Sequence, residues 1–319
     1  MAKKQKKFAD DGWAVWVDGE NLSTVYINDW INPKGKSYVD LAVRIRGVKA
    51  SKALHVYVPF GVSADEIEDI SLLFENRKNL HAVFSAACIV DYKKNEHTSE
   101  IAYNGKTVDI VHMSTFEHEI IPVSEGTLIN INFAELQPFI DNDEAYFIWR
   151  MPHKSLDEIF KPHVNVGSTF QRFVDLFTTP VITEKYGYSV RVNEPRLLPD
   201  GITKFGGFHR QKLEKTIINL SIDESYELND AGCFRIRRLE GELYKEYLPA
   251  DYCFDDNIVY MWKLNNESDL HGQFNFYYSI TKNSVSKGSM ILYLFLLPSI
   301  DVFGNFVADW IYALIDLFK

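Results

Sequence analysis

The chain has 319 residues, more than one compact domain usually holds, so two domains and a tail are expected. The formal net charge of -10 argues against extended nucleic-acid binding by the whole surface, although a local basic patch is compatible with that average. Three widely spaced cysteines form no zinc pattern and suggest a reducing compartment.

The N-terminus is basic, and residues 1–11 are predicted to be a solvated tail. Two acidic residues and a glycine follow the lysines, at the place where a signal peptide has its apolar stretch. No signal peptide is therefore expected, and the body of the protein should stay in the cytoplasm.

The composition of the body favours strands, because aromatic residues make up 14% of the chain and accompany many Val and Ile. Residues 39–45 alternate apolar and polar side chains, the pattern of a half-buried antiparallel strand. Residues 13–17 and 22–27 are predicted to be strands that pair with each other across a turn. Asn104 and Gly105 predict a hairpin, because this pair suits the positive φ angles of a type I′ turn.

One helix is expected to interrupt the strands of the first half. Ser63 and Glu66 have the spacing of a capping box, which predicts a helix of about three turns. After that helix, residues 79–90 are predicted to return to strand.

Residues 17–22 read Val-Asp-Gly-Glu-Asn-Leu and resemble the strand-end motif of NYN or PIN-type nucleases. In those nucleases a carboxylate at a strand terminus holds a metal, which would give Asp18 that role. The family needs a parallel sheet with crossover helices, and the alternating antiparallel pattern here departs from it. We therefore interpret these six residues as a turn.

The domain boundary is expected within residues 137–144, which gives a first β domain at residues 12–140 and a second at residues 141–288. A strand, a proline and a capping-box pattern occur at residues 56–67 and again at residues 147–159. This echo is compatible with two copies of one sandwich-like domain, and coincidence is the alternative because capping boxes are common.

The second half contains the candidate ligand site. A predicted strand at residues 233–239 places Arg235 and Arg237 on one face, and Phe234, Ile236 and Arg238 on the other. Two neighbouring arginines repel each other unless an anion or acidic side chains neutralise them. Arg235 and Arg237 are therefore candidates for binding an anion.

A loop with adjacent glycines, residues 205–212, supplies three further candidates for holding a phosphate, which are His209, Arg210 and Lys212. The loop lacks the Gly-Lys-Ser/Thr ending of a P-loop. None of the nine histidines stands in a zinc-binding spacing, and no nucleophile motif is present. The catalytic residues, if any, are unknown, and no metal or cofactor is predicted.

The most unusual stretch is residues 289–319. Residues 290–300 form an almost unbroken apolar run that passes the hydropathy threshold for a membrane span. At 100° per residue, the polar residues that follow fall within a sector of roughly 80°. We call this set the acidic stripe: Asp301, Asn305, Asp309, Tyr312 and Asp316.

Three interpretations of this stretch compete. It is a membrane helix whose acidic stripe faces water or sister helices, a helix lying on a bilayer surface, or a soluble hairpin buried in a core or dimer interface. The first is favoured, because surface helices usually carry Lys or Arg on the polar face. Pro298 and Gly304 are natural breaks and keep the hairpin open.

The sequence as a whole predicts a mainly β protein, antiparallel, with two sandwich-like domains, short helices and a C-terminal transmembrane helix. The expected function is a cytoplasm-facing sensor or binding module whose C-terminal helix oligomerises and permeabilises the membrane, by analogy of architecture with bacterial immune effectors. Membrane lipid, further copies of the chain and a small anionic ligand or protein trigger are the expected partners. Two alternatives stay open, namely a soluble hydrolase or nuclease whose last helices form a core or dimer interface, and a passive membrane-anchored scaffold.

Overall fold

A computed structural model describes residues 10–19, 22–33, 35–84, 95–103, 106–124, 126–153, 161–162, 181–204, 208, 212–229, 232–252, 256–265, 273–285 and 287–317. The strands are β1 Asp10–Val17, β2 Leu22–Trp30, β3 Ser37–Arg46, β4 Ala53–Val58, β5 Glu68–Asp69, β6 Thr98–Tyr103, β7 Lys106–Val111, β8 His118–Val123, β9 Gly126–Asn132, β10 Glu144–His153, β11 Lys161–Pro162, β12 Val181–Val192, β13 Lys212–Asp223, β14 Tyr226–Leu228, β15 Arg235–Arg238, β16 Asn257–Asn265 and β17 Phe274–Val285. The described helices are α1 Arg77–Phe84, α2 Phe133–Leu136, α3 Asp200–Thr203, α4 Gly241–Tyr244 and α5 Lys287–Leu317. Strands make up 48% of the chain, which confirms the mainly β class.

The chain forms two compact units. The first comprises Met1–Lys161, Tyr188–Glu224 and Asp230–Tyr278, and the second comprises Pro162–Gly187, Ser225–Asn229 and Ser279–Lys319. Strand pairing within the first unit joins segments from both sides of residues 137–144, since β1 pairs with β12 and β2 pairs with β13.

The first unit contains two sheets. Sheet I has the order β8-β9-β4-β1-β12-β17, and sheet II has the order β15-β16-β13-β2-β3-β10-β7-β6, with β5 also pairing to β10. Most neighbours are antiparallel, and three described pairs are parallel: β1 with β12, β2 with β13, and β7 with β10. In the second unit, β14 pairs antiparallel with β17, where Tyr226 lies opposite Lys282.

The strands β1 and β2 do not pair with each other, so that prediction is wrong. Strand β1 lies in sheet I between β12 and β4, whereas β2 lies in sheet II between β13 and β3. The physical reason is burial, because side chains on both faces of β1 are buried, from Trp13 to Val17. A strand buried on both faces needs a neighbour on each side and a layer above and below it.

The region after β4 also differs from the prediction. The Ser63–Glu66 capping box forms, with the Ser63 N–H donating to Glu66 Oε2 at 2.9 Å, but it begins only the short 3-10 turn Ala64–Glu66. A second 3-10 turn, Ser71–Glu75, follows, and the predicted strand at residues 79–90 is helix α1 as far as Phe84. Leu80 and Ala82 are buried on this helix, in the cluster that covers sheet II, so residues 79–84 differ from the predicted strand.

The two sheets of the first unit face each other across an apolar layer. Phe147 of β10 stacks on Phe133, which follows β9, with ring centroids 5.7 Å apart. Trp262 of β16 stacks on Tyr278 of β17 at 4.9 Å. Each fully buried side chain of this kind contributes about 1.5–3 kcal/mol relative to an exposed one, so the layer is the main source of stability.

The outer face of sheet II is covered over β2, β3 and β10. The covering layer consists of Ser71–Glu75, α1 and the segment from α4 to Tyr252, which packs Phe74, Leu80 and Tyr247 against the sheet. Over β13, β16 and β15 the outer face stays partly open, because Lys215, Lys263 and Arg235 there are half-buried or exposed.

A buried ion pair joins the covering layer to sheet II. Arg150 donates from Nε and Nη2 to the two oxygens of Asp40 at 2.7 and 2.9 Å, and from Nη1 to the Tyr247 carbonyl at 2.8 Å. The Tyr247 hydroxyl and the Trp30 indole also donate to Asp40, each at 2.7 Å. Burial alone would lower the pKa of Arg150, but the charge and hydrogen bonds of Asp40 outweigh burial and raise it. This network is satisfied at every charged group and is therefore structural.

Candidate membrane helix and anion-binding residues

The C-terminal helix α5 is continuous from Lys287 to Leu317. Pro298 lies inside it and cannot donate to the carbonyl of Leu294, but Ser299 Oγ donates to the carbonyl of Phe295 at 2.7 Å. Such a hydroxyl contact is one way in which an apolar helix tolerates proline. The segment is thus one helix, and the alternative of a hairpin broken at Pro298 is wrong in its geometry.

An apolar stretch of this helix is long enough to cross a bilayer. Its 23 residues, Leu294–Asp316, have a mean hydropathy of 1.4, and none of this stretch is buried. At 1.5 Å per residue it extends about 35 Å, against about 30 Å of hydrocarbon. Phe295 is 72% exposed and Ile311 is 50% exposed, so apolar side chains on opposite sides of the helix are exposed.

The acidic stripe lies along one side of α5. Its members Asp301, Asn305, Asp309, Tyr312 and Asp316 are all exposed and are spaced by three or four residues within the helix. The arrangement agrees with the sequence reasoning, while the role assigned to the stripe stays a prediction. Chemically, a row of carboxylates in an apolar helix can accept cations or hydrogen bonds from other helices.

Arg235 and Arg237 lie on the edge strand of sheet II. Strand β15 pairs with β16, placing Arg235 opposite Met261 and Arg237 opposite Val259. Both arginines line a small cavity of about 40 Å³ together with Val83, Asn219, Val259 and Met261. Their side chains therefore share one face, as the alternation predicts.

The two arginines differ in what they contact. Arg237 donates to the Tyr244 hydroxyl, and its Cζ lies 5.7 Å from the centroid of that ring. Arg235 is exposed and has no acidic partner in the part of the chain that the structure describes. Arg238, on the opposite face, pairs with Asp256 and Glu224. Arg235 is thus the more available of the two candidates.

Three other sequence candidates are not placed with them. His209 and Arg210 lie outside the described residues, and Lys212 is described only as the first backbone position of β13. Their proposed role in ligand binding stays a prediction.

Sequence reasoning missed four cations that the topology brings to the face of Arg235. Strand pairing places Lys215 beside Thr24, Thr24 beside Arg44, Ile217 beside Lys263, and Met261 beside Arg235. We call the combined set the basic face: Arg44, Arg46, Lys215, Lys263, Arg235 and Arg237. These residues come from four strands far apart in sequence. The only local signal was in β3, where Arg44 and Arg46 alternate with apolar side chains.

Four members of the basic face, Lys215, Lys263, Arg44 and Arg46, lie close enough to interact electrostatically. Burial lowers the pKa of Lys215, and the nearby charges of Lys263, Arg46 and Arg44 lower it further, against an opposing effect of Glu214. Two carboxylates partly neutralise the face. Glu144 holds Arg44 and Arg46, and Glu214 lies 3.1 Å from Arg46.

Buried titratable groups elsewhere are enclosed by the fold. His153 Nε2 lies 3.4 Å from Asp29 Oδ1, and both side chains are fully buried. His112 lies between the hydroxyls of Ser71 and Ser99, at 2.9 and 2.8 Å. Among the residues that the structure describes, no group of three or more His, Cys, Asp or Glu is placed to hold a metal ion.

No protein-family profile matches the chain, and a search of curated proteins finds no match. Among solved structures, the chain was compared with the Fcho1 Mu homology domain of Danio rerio with bound Eps15 peptide. The two are 12% identical over 85% of this chain and 81% of that one, with a TM-score of 0.13. A likeness of that size supports no statement about fold or function.

Proposed function

We propose that this protein is a membrane-anchored binding module that faces the cytoplasm and uses α5 to permeabilise the membrane when several copies associate. The observation that carries the proposal is the apolar stretch Leu294–Asp316, which is long enough to span a bilayer and in which no residue is buried. A contiguous apolar surface of this size on a soluble monomer is an association or membrane site.

The acidic stripe is what favours association over simple anchoring. A carboxylate facing acyl chains costs about 3 kcal/mol, and Asp301 and Asp309 lie two turns apart on one side of the helix. Copies that turn this side toward one another remove the carboxylates from lipid and create a ring of acidic groups. Rings of this kind line many cation pathways.

The proposed orientation follows from the charges that flank the helix. Lys282 and Lys287 precede the apolar run, and the positive-inside rule keeps such residues on the cytoplasmic side. The body before α5 would then remain cytoplasmic, and the end of the helix would cross. In this arrangement an anionic ligand of the body controls whether copies meet.

The test is dye leakage from vesicles or cells that contain the full chain. Replacing Asp301, Asn305 and Asp309 together with Leu should preserve membrane insertion while abolishing leakage. The matched control replaces Val302, Phe303 and Phe306 with Leu, which changes three residues of the apolar face and should leave leakage intact.

Two results would argue for other functions. Equal leakage from the triple Leu variant and the parent would show that the stripe lines no path. Stable insertion of the parent without leakage under any ligand tried would favour the passive anchored scaffold.

A further inference from the structure

We propose that the basic face of sheet II binds a short segment of single-stranded nucleic acid. The inference rests on the part of the proposed function that assigns Arg235 and Arg237 to an anionic ligand, and it identifies that ligand by class. It needs no membrane, so it can fail while the role of α5 stands.

The basic face carries a high local positive charge. The basic face holds six cations and two nearby carboxylates, Glu144 and Glu214, within a chain whose formal net charge is -10. Burial is the main cause of the lowered pKa of Lys215, and the charges of Lys263, Arg46 and Arg44 add to it, so these cations repel one another and an anion relieves that repulsion. A local patch of this kind is the electrostatic footprint of polyanion binding.

The shape of the basic face favours an extended ligand over a small one. The cavity beside Arg235 is only about 40 Å³, whereas pockets for small molecules usually enclose at least ~300 Å³. The face instead extends across five neighbouring strands from β3 to β15, which is roughly 19 Å at the usual strand spacing. A chain with regularly spaced charges fits this surface.

The exposed ring of Phe234 favours nucleic acid over an acidic peptide as the ligand. Phe234 comes directly before β15 and is 66% exposed, and its ring centroid lies 5.8 Å from Lys263 Nζ, so the ring reaches the basic face although the alternation predicts the opposite side. An exposed ring beside Lys263 offers a stacking surface for a base, and an acidic peptide has no base to stack there. Arginine and lysine would hold the phosphates, since guanidinium groups match phosphate oxygens in pairs.

The experiment measures fluorescence anisotropy of a labelled thymidine oligonucleotide of about twelve nucleotides with the purified full chain in non-ionic detergent. Binding should saturate at ~50 mM salt and weaken steeply by ~200 mM, as release of counterions requires. The double variant Lys215→Glu/Lys263→Glu should weaken binding about tenfold or more, because it reverses two charges in the centre of the face.

Two matched variants make the test specific. Arg238→Glu reverses a charge on the same edge strand but on the opposite face, so it should change the affinity by less than about twofold. Phe234→Ala should weaken binding of the oligonucleotide about fivefold and leave binding of inorganic polyphosphate unchanged, because polyphosphate has no base to stack. If the double variant is misfolded, the single variant Lys263→Gln at an exposed position replaces it.

Several results would overturn the proposal. They are no saturable binding at low salt, an equal loss from Arg238→Glu, equal affinity for polyglutamate, or stronger binding to phosphatidylglycerol in mixed micelles with the same detergent than to the oligonucleotide. The last result would assign the phosphates to lipid headgroups instead.

Discussion

Arg150 and Arg235 lie on the same sheet, and burial decides what each does. Arg150 is 3% exposed and makes two hydrogen bonds to one carboxylate, so its charge is neutralised inside the protein. Arg235 is exposed on an edge strand and remains available to a ligand. A sequence shows two arginines in alternating strands and cannot distinguish them, because the groups that enclose Arg150, Asp40 and Tyr247, are 110 and 97 residues away in the chain.

Replacing Arg150 with Met should lower the free energy of unfolding by about 3–5 kcal/mol, because the Asp40 carboxylate is left buried without a counter-charge. Equilibrium unfolding in urea measures the loss. Arg196→Met is the matched control, since the Arg196 side chain is 78% exposed in its pair with Glu194 and should cost at most about 1 kcal/mol. Similar losses from both variants would mean that the Arg150 pair is not held as described.

Ile236 is exposed, although the alternation along β15 predicts that it faces the core. A residue opposite Arg235 and Arg237 should face the core, so Ile236→Asp would be expected to unfold the sheet. In the structure Ile236 is 61% exposed, because β15 lies at the edge of sheet II. Ile236→Asp should therefore change stability by no more than about 0.5 kcal/mol, whereas Val43→Asp, at a fully buried site, should unfold the protein. Thermal melts of the two variants decide between these readings.

Tyrosines in the covering layer and beneath it make the free energy of unfolding fall at alkaline pH. Burial, followed by the hydrogen bond to Asp251, raises the pKa of Tyr38 to about 12, and burial also raises the pKa of Tyr146, Tyr244 and Tyr247. Unfolded tyrosine loses its proton near pH ~10, so above that pH the unfolded state holds fewer protons than the folded state. The stabilisation is complete below pH ~10 and is lost as the pH rises toward the folded values.

The measurement is the urea midpoint of unfolding from neutral pH to about pH 11. The midpoint should drop steeply above pH ~10, and Tyr38→Phe should make that drop shallower. Tyr277→Phe, which removes the hydroxyl of a 58% exposed ring, is the control. A midpoint that stays level through this range would contradict the burial of these hydroxyls.

Most individual strands could be predicted, because apolar and polar side chains alternate along them. The alternation at residues 39–45 falls within β3. The predicted hairpin is formed by β6 and β7, with Tyr103 opposite Lys106, and its two central residues lie outside the described part. Prediction failed where packing outweighed the local pattern. The helix expected after Ser63 is divided into 3-10 turns, and a predicted strand is α1, because both segments cover the outer face of sheet II.

The helix α5 offers a test of its two faces. Phe306→Asp puts a carboxylate on the apolar side and should reduce membrane insertion strongly, since a charge near the bilayer centre costs about 3 kcal/mol. Asn305→Asp adds the same charge one residue away on the acidic stripe and should leave insertion nearly unchanged. Retention of the full chain in washed membranes measures both. Equal retention of the two variants would show that the helix has no fixed lipid-facing side.

The whole molecule is where sequence reasoning reached its limit. The pairs β1 with β12 and β2 with β13 join residues more than 170 positions apart, and nothing local in either strand indicates its parallel partner. The basic face depends on the same long-range pairing, so four of its six members were not found. The apolar helix, by contrast, is a local property of composition and could be read directly.

Extraction of cell membranes tests whether α5 holds the chain in a membrane. Membranes from cells expressing the full chain are washed with alkaline carbonate, and the protein in pellet and supernatant is quantified, beside a chain that ends at residue 288. The full chain should stay in the pellet until detergent is added, while the shortened chain should be soluble and folded. Recovery of the full chain in the supernatant without detergent would instead favour a soluble protein whose last helix forms a dimer interface.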